Sequence, residues 1–157
     1  MVEPQSLIIG GVPILMKGKS GGKKIFVLDD DRDGIIIDHI LKAVYGCGHT
    51  LTFARTIQEA ERRFSAYQPF DLICLSYWVG TDGTRTGLDF VKSMPIVPLG
   101  TTWNRTPIVL VHETDVKPAI EMIKVLITKN YCASHRPFGH LFLGYLENYA
   151  RKYAVTH

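Results

Sequence analysis

Ile25-Phe26-Val27-Leu28-Asp29-Asp30-Asp31 is the stretch of sequence that decides the fold. Its four apolar residues run directly into three carboxylates, a pattern typical of a strand that is covered on both faces and ends at a polar edge. The stretch Asp71-Leu72-Ile73-Cys74-Leu75-Ser76 has a similar apolar run and ends in a hydroxyl. The two stretches therefore predict strands of one buried parallel sheet.

Outward from these strands, apolar runs of strand length alternate with segments of helical period. The predicted strands are 25–28, 51–53, 71–75, 107–111 and 131–134. The predicted helices cover about 36–44, 57–67, a segment that begins near 86, 116–128 and 138–153. This alternation is the signature of successive βαβ units. It predicts an α/β fold in three layers, with a doubly wound, five-stranded parallel sheet in the flavodoxin-like order 2-1-3-4-5.

The length of 157 residues is sufficient for one full hydrophobic core and leaves little material for a second. Residues 1–23 are predicted to form an apolar N-terminal arm that ends in a linker rich in Gly and Lys. Residues 24–157 are predicted to form the α/β domain, with the arm as its appendage.

The composition restricts the classes of function. The net charge of +3 is small, and Lys and Arg are scattered among acids without a basic stripe, so a nucleic-acid partner is not expected. The three cysteines are an odd number without C-x-x-C spacing, which indicates reduced thiols. No apolar run approaches the roughly 20 residues that a membrane span needs. We therefore expect a soluble cytoplasmic protein with no membrane partner.

In a sheet of this order, the binding crevice lies beyond the carboxyl ends of strands one and three. The side chains expected at that edge are Asp29, Asp30, Ser76, His112, His135 and Arg136. The adjacent carboxylates Asp29 and Asp30 repel each other and need compensation. Arg136 is the expected partner, because a guanidinium can pair with a carboxylate through two hydrogen bonds.

These positions resemble those of a receiver domain of two-component signalling, over residues 24 to about 153. Residues 27–31 (VLDDD) resemble the acidic cluster of that family, residues 71–76 (DLICLS) its phosphoacceptor strand, and residues 136–138 (RPF) its Lys-Pro-Phe segment. Residues 86–89 (TGLD) and 110–113 (LVHE) resemble the divergent cyclic-phosphate receiver branch, which is frequent in phage genomes. The resemblance implies a receiver fold and suggests a phage origin.

Three positions depart from the receiver pattern. Ser76 stands where the resemblance places the acceptor aspartate, His112 where it places a switch Thr or Ser, and Arg136 where it places lysine. A receiver aspartate attacks a phosphoryl donor with the help of Mg²⁺ held on neighbouring acids, and serine cannot form the resulting acyl phosphate. The missing carboxylate is also a missing metal ligand. We expect no metal site or other cofactor beyond weak Mg²⁺ binding at Asp29 and Asp30.

The pattern leaves two uses of the crevice open. In the first, Arg136 pairs with the acids and locks the former reaction centre as a static scaffold. In the second, Asp29, Asp30, His112, His135 and Arg136 together hold a small phosphorylated or cyclic-nucleotide ligand. His112 is the catalytic candidate if the chain is an enzyme, but no nucleophile with a matched base is evident.

Tyr77, Trp78 and Trp103 lie on two long loops at the same end of the predicted sheet. They either cover the crevice or form a surface for a protein partner, since aromatic side chains bury large areas with few rotamers. The expected function is that of a pseudo-receiver, a non-enzymatic regulatory module that lacks the acceptor aspartate and binds a protein. The alternative is a module that binds or processes a cyclic nucleotide or cyclic phosphate.

Overall fold

The structure, a computed structural model, describes residues 7–9, 12–16, 22–30, 34, 38, 44–79, 85–98, 100, 106–137 and 140–154. The strands are β1 (Leu7–Ile9), β2 (Val12–Met16), β3 (Lys24–Leu28), β4 (Thr50–Ala54), β5 (Leu72–Leu75), β6 (Ile108–Val111) and β7 (Cys132–His135). The α-helices are α1 (Ile57–Tyr67), α2 (Gly87–Ser93), α3 (Val116–Thr128) and α4 (His140–Lys152), with a 3-10 turn at Tyr45–Cys47. Most of the helix predicted at 36–44 lies outside the described residues.

The described strands form one sheet in the order β1-β2-β4-β3-β5-β6-β7. Strands β4, β3, β5, β6 and β7 are parallel, which confirms the predicted order 2-1-3-4-5. The sequence pattern predicts no strands in the N-terminal arm. There β1 and β2 pair antiparallel, and β2 pairs with β4 through Leu15 opposite Thr52 and Met16 opposite Leu51. Two apolar runs separated by Gly10-Gly11 are the sequence pattern of a short hairpin, which accounts for this extension of the sheet.

Successive residues of the central strands alternate between two hydrophobic clusters. Phe26 and Leu28 belong to the cluster that includes buried side chains of α1, α2 and α3, whereas Ile25 and Val27 belong to the cluster that includes those of α4. Strands β5 and β6 alternate in the same way. Because both faces are covered, the strands are continuous apolar runs in the sequence. The result is the predicted arrangement of three layers.

Helix α1 begins after the N-cap residue Thr56. Thr56 Oγ1 accepts a hydrogen bond from the Glu59 N–H at 3.1 Å, and Glu59 Oε1 accepts one from the Arg55 N–H at 2.9 Å. Helix α2 begins in a related way, with Asp89 Oδ2 accepting from the Thr86 N–H at 2.7 Å. These bonds satisfy donors that a helix start would otherwise leave without partners.

The central strands end level with one another. Strands β3, β5, β6 and β7 are in register, so their last residues lie opposite one another. The ladder continues for one residue, because the N–H groups of Ser76, His112 and Arg136 donate to carbonyl oxygens of the neighbouring strands at 3.1, 2.9 and 2.9 Å. The backbones of these predicted site residues therefore leave the sheet at the same edge.

Cys47, Cys74 and Cys132 are free thiols. Cys74 is buried in β5, and Cys132 is exposed on β7. No α-helix in the described part of the chain is long and apolar enough to cross a membrane.

Candidate functional site

Ser76 lies just beyond β5 with 7% of its surface exposed. Its hydroxyl donates a hydrogen bond to Oε2 of Glu113 at 3.2 Å. The position that resembles the phosphoacceptor therefore carries a neutral group, and that group is bonded to an acceptor within the chain.

Glu113 is the centre of the site. It is buried, with only 6% of its surface exposed. Besides the Ser76 hydroxyl, Oε2 accepts from the N–H groups of Tyr77 at 3.1 Å and Trp78 at 3.2 Å. Oε1 accepts from the N–H and the hydroxyl of Thr114 at 3.1 and 3.3 Å, and from the N–H of Asp115 at 3.4 Å. One carboxylate thus joins the loop after β5 to the loop after β6.

These donors decide the charge of Glu113. Burial opposes ionisation and by itself would raise the pKa of the carboxyl. The hydrogen bonds from Trp78, Asp115, Tyr77 and Ser76 together outweigh burial and hold the pKa of Glu113 below its ordinary value. Glu113 is therefore an anion at neutral pH.

His112 is 1% exposed, and its ring stacks on Phe142 of α4 with 4.4 Å between ring centres. Burial lowers the pKa of His112 to about 4, although the negative charge of Glu113 acts in the opposite direction. The imidazole is therefore neutral at neutral pH. Its Nδ1 lies 3.5 Å from Asp29 Oδ2, close enough for an ion pair, but the neutral ring makes this a polar contact only.

His135 reaches the backbone of the same site. Its Nε2 lies 2.7 Å from the carbonyl oxygen of Glu113. A carbonyl oxygen only accepts hydrogen bonds, so this nitrogen carries the proton. His135 thus supports the backbone of Glu113 from β7.

The expected pairing of Arg136 with Asp29 or Asp30 is not found among the described residues. Arg136 is exposed, its guanidinium carbon lies 5.5 Å from the centre of the Tyr145 ring, and its Nη1 donates to the His135 carbonyl oxygen at 3.5 Å. Strands β3 and β7 are three strand spacings apart, about 14 Å, and the ring of α4 offers a nearer cation–π contact. This part of the prediction is wrong.

The loop after β5 is held on both sides of Trp78. The Tyr77 carbonyl oxygen accepts from the Gly87 N–H at 2.7 Å, and Val79 is 5% exposed. A Cβ atom on Gly87 would lie 2.1 Å from the Ser76 carbonyl oxygen, so the close approach of α2 requires glycine. Trp78 is 56% exposed and packs edge to face on Tyr77, with 4.7 Å between ring centres. The predicted aromatic partner Trp103 lies outside the described residues.

Ser76 and Glu113 are poorly suited to complete a Mg²⁺ site beside Asp29 and Asp30. Within the described part of the chain, no three His, Cys, Asp or Glu side chains are grouped so that they could hold a metal ion. Ser76 offers a neutral hydroxyl, and both oxygens of Glu113 already accept hydrogen bonds. Weak Mg²⁺ binding at Asp29 and Asp30 stays a prediction.

Glu113 is not among the site residues predicted from the sequence. A signal was present, since an acid between a strand end and the start of α3 is well placed to accept backbone N–H groups. The donors from Tyr77 and Trp78 could not be foreseen, because they depend on how the loop after β5 turns beside β6.

No family model and no curated protein matches the chain. Solved structures of receiver domains do match. The response regulatory domain of MrkE from Klebsiella pneumoniae matches with a TM-score of 0.55 at 8% identity, over 82% of this chain and 93% of that chain. The Mn²⁺-bound response regulator Rcp1 matches with a TM-score of 0.54 at 14% identity, over 86% of this chain and 96% of that chain.

The receiver domain of the Francisella response regulator 1452 matches with a TM-score of 0.51 at 19% identity, over 84% of this chain and 96% of that chain. At such low identity these likenesses show the fold alone. Together with the parallel sheet order 2-1-3-4-5, they establish that this chain has the fold of response-regulator receiver domains.

Proposed function

We propose that the chain is a pseudo-receiver, a non-enzymatic regulatory module that binds a protein partner without being phosphorylated. The observation that carries the proposal is the hydrogen bond from the Ser76 hydroxyl to the Glu113 carboxylate. A receiver signals through a phosphoryl group on the carboxylate at this position. Here position 76 has no carboxylate, and the adjacent backbone donors of Tyr77 and Trp78 already bind an anion.

The partner surface that we propose is centred on Trp78. The indole is more than half exposed, while Tyr77 and Val79 on either side of it are anchored. Tethering the backbone of an exposed aromatic side chain lowers the conformational entropy that binding would remove. Large aromatic side chains also dominate the energetics of many protein interfaces. A partner with an apolar pocket for the indole fits this surface.

The geometry argues against the ligand use of the crevice, and in the scaffold that we propose Glu113 takes the place expected of Arg136. The groups that were expected to bind a phosphate are His112, His135 and Arg136. His112 is buried and neutral, His135 Nε2 contacts the Glu113 carbonyl oxygen, and Arg136 lies against Tyr145. We therefore expect no rise in melting temperature with cyclic mono- or dinucleotides at millimolar concentration, since a ligand of the native state must stabilise it. A saturable rise would favour the cyclic-nucleotide alternative.

The likeness to the phage-associated cyclic-phosphate branch rests on few residues. One of them, Gly87, can be explained by packing alone, because α2 approaches the Ser76 carbonyl oxygen too closely for a residue with a Cβ atom. A phage origin stays a hypothesis that the neighbouring genes can test. A gene neighbourhood without phage genes would count against it.

The absence of phosphorylation can be tested on the purified chain. We expect no acid-labile phosphoprotein after incubation with acetyl phosphate and Mg²⁺, as followed by intact-protein mass, under conditions in which a receiver with an acceptor aspartate is modified. Growth of such a species on the wild-type chain would contradict the proposal.

The partner surface can be tested by site-specific photocrosslinking. A photoreactive aromatic side chain at position 78, which keeps a large ring for the proposed apolar pocket, is expected to capture one partner. The Trp78→Ala variant is expected to lose affinity for that partner in direct binding by at least about tenfold. Position 96 is the matched control. Ile96 is 66% exposed but lies near Pro107 and Tyr131, which precede β6 and β7, so it is at the opposite edge of the sheet from Trp78. Equal capture from both positions would contradict the proposed surface.

A further inference from the structure

The loops that follow β5 and β6 together form an anion site. Four backbone N–H groups, from Tyr77, Trp78, Thr114 and Asp115, converge on one carboxylate. Two hydroxyls, from Ser76 and Thr114, complete the set. Converging main-chain N–H groups of this kind bind small oxyanions.

The donor set specifies the class of ligand. All six donors are neutral, and they point at two oxygen atoms of one anion. A carboxylate or a tetrahedral oxyanion such as phosphate can accept hydrogen bonds from donors in this arrangement. A cation or an apolar group would leave the donors without acceptors, which costs the free energy of their desolvation. The occupant in this chain is the side chain of Glu113, a residue of one of the two loops.

We propose that Glu113 is a built-in occupant of an oxyanion site and replaces the external anion that the site would otherwise bind. The carboxylate lies 3.2 Å from the side chain at position 76, where a phosphoryl group on that side chain would also have to lie. By filling the site permanently, Glu113 holds the Tyr77–Trp78 backbone in one conformation. That last step rests on the proposed function, because it makes the Trp78 surface available without a covalent signal.

An internal anion has a large advantage over a free one. Glu113 belongs to the loop that supplies half of the backbone donors, so its carboxylate is present at a high effective concentration. Free acetate or phosphate at millimolar concentration therefore does not displace it. Removing the carboxylate by Glu113→Ala leaves the donors and a space for a small anion.

The test is a titration of the Glu113→Ala variant and the wild-type chain with acetate and, separately, inorganic phosphate at constant ionic strength. The readout is the amide nitrogen–proton spectrum, with attention to residues 77, 78, 114 and 115. We expect saturable shifts of these amides in Glu113→Ala and none in the wild type. The control is Glu121→Ala, which removes an exposed carboxylate from α3 and should behave as the wild type does.

An equal response of the two proteins, or no saturable shift in Glu113→Ala, would overturn the proposal. If Glu113→Ala does not fold, the Glu113→Gln variant tests the same proposal. Its amide has one accepting oxygen and cannot accept from both loops, so amide hydrogen exchange should accelerate at least about tenfold at 77 and 78 or at 114 and 115. Unchanged rates at both pairs would overturn the proposal. Phosphorylation of the wild type would contradict the proposed function, but it would leave the anion titration of Glu113→Ala to be judged separately.

Discussion

Ser76 and Glu113 are compatible only because position 76 is neutral. Two unit charges about 4 Å apart in the outer part of a protein interact by about 4 kcal/mol. An aspartate at position 76 would bring a second carboxylate to within that range of Glu113. The neutral side chain at position 76 and the buried, ionised glutamate therefore belong together.

The Ser76→Asp variant should be less stable than the wild type by on the order of 2 kcal/mol at pH 7, because the two carboxylates repel. Ser76→Asn is the matched control, since it has the same shape as the aspartate without its charge. Urea unfolding measures both variants, and the gap between them should narrow below about pH 5 as one carboxyl becomes protonated. Equal stability of the two variants at pH 7 would contradict this account of Glu113.

The buried His112 makes the free energy of unfolding fall as the pH is lowered. Burial lowers its pKa in the folded chain to about 4, so the unfolded chain binds the proton first as the pH falls below about 6.5. The contribution of His112 to the free energy of unfolding is therefore fully present above that value. It is lost as the pH falls from about 6.5 to 4, by up to about 3 kcal/mol.

The measurement is the free energy of unfolding in urea across this range, for the wild type and for His112→Leu. The decrease of the free energy of unfolding with falling pH should be less steep in His112→Leu, because a leucine does not titrate. The same slope in both proteins would assign the acid sensitivity to other groups.

At the scale of elements, the start of α2 sets the position of the site loop. The Gly87 N–H binds the Tyr77 carbonyl oxygen, and the α-carbon of Gly87 packs against the Ser76 carbonyl. The sequence contains a matched glycine in α4, Gly144, where an added Cβ meets no atom within 4 Å. Comparing alanine substitutions at Gly87 and Gly144 separates the effect of close packing from the ordinary preference of helices for alanine over glycine.

Gly87→Ala should lower the free energy of unfolding by about 1–3 kcal/mol, because the new methyl group forces the helix and the loop apart. Gly144→Ala should raise it by about 0.5–1 kcal/mol, since alanine restricts the unfolded chain and favours the helix. Thermal or urea unfolding of the two variants provides the measurement. A stabilising Gly87→Ala would show that α2 does not press on the loop.

Most elements could be predicted because their apolar periods are strong. The range of α3 agrees with its prediction at both ends, and the parallel strands agree within one or two residues. The strands of the arm were missed because their pairing depends on the exposed edge of β4, which a local pattern does not reveal. The register of the strands brings the backbones of Ser76, His112 and His135 to one edge, but it does not determine where a long side chain such as Arg136 points.

At the scale of the whole molecule, the arm adds strands to a sheet that already has a receiver order. The hairpin β1–β2 covers the outer edge of β4. The division into an arm of residues 1–23 and a domain of residues 24–157 stays a prediction, which deletion of the arm can test.

Deletion of residues 1–16 should therefore leave a folded α/β domain that self-associates, because it uncovers a strand edge. Circular dichroism and light scattering test the two parts of this prediction. A deletion variant without cooperative unfolding would show that the domain needs the arm.

The central claim is that Glu113, and not a phosphoryl group, sets the state of the loop that carries Trp78. Its most direct test is the amide spectrum of the wild-type chain with and without acetyl phosphate and Mg²⁺. We predict that the Tyr77 and Trp78 resonances stay in place and that the protein mass does not change. A saturable movement of these two resonances together with an acid-labile phosphoryl adduct would contradict the claim.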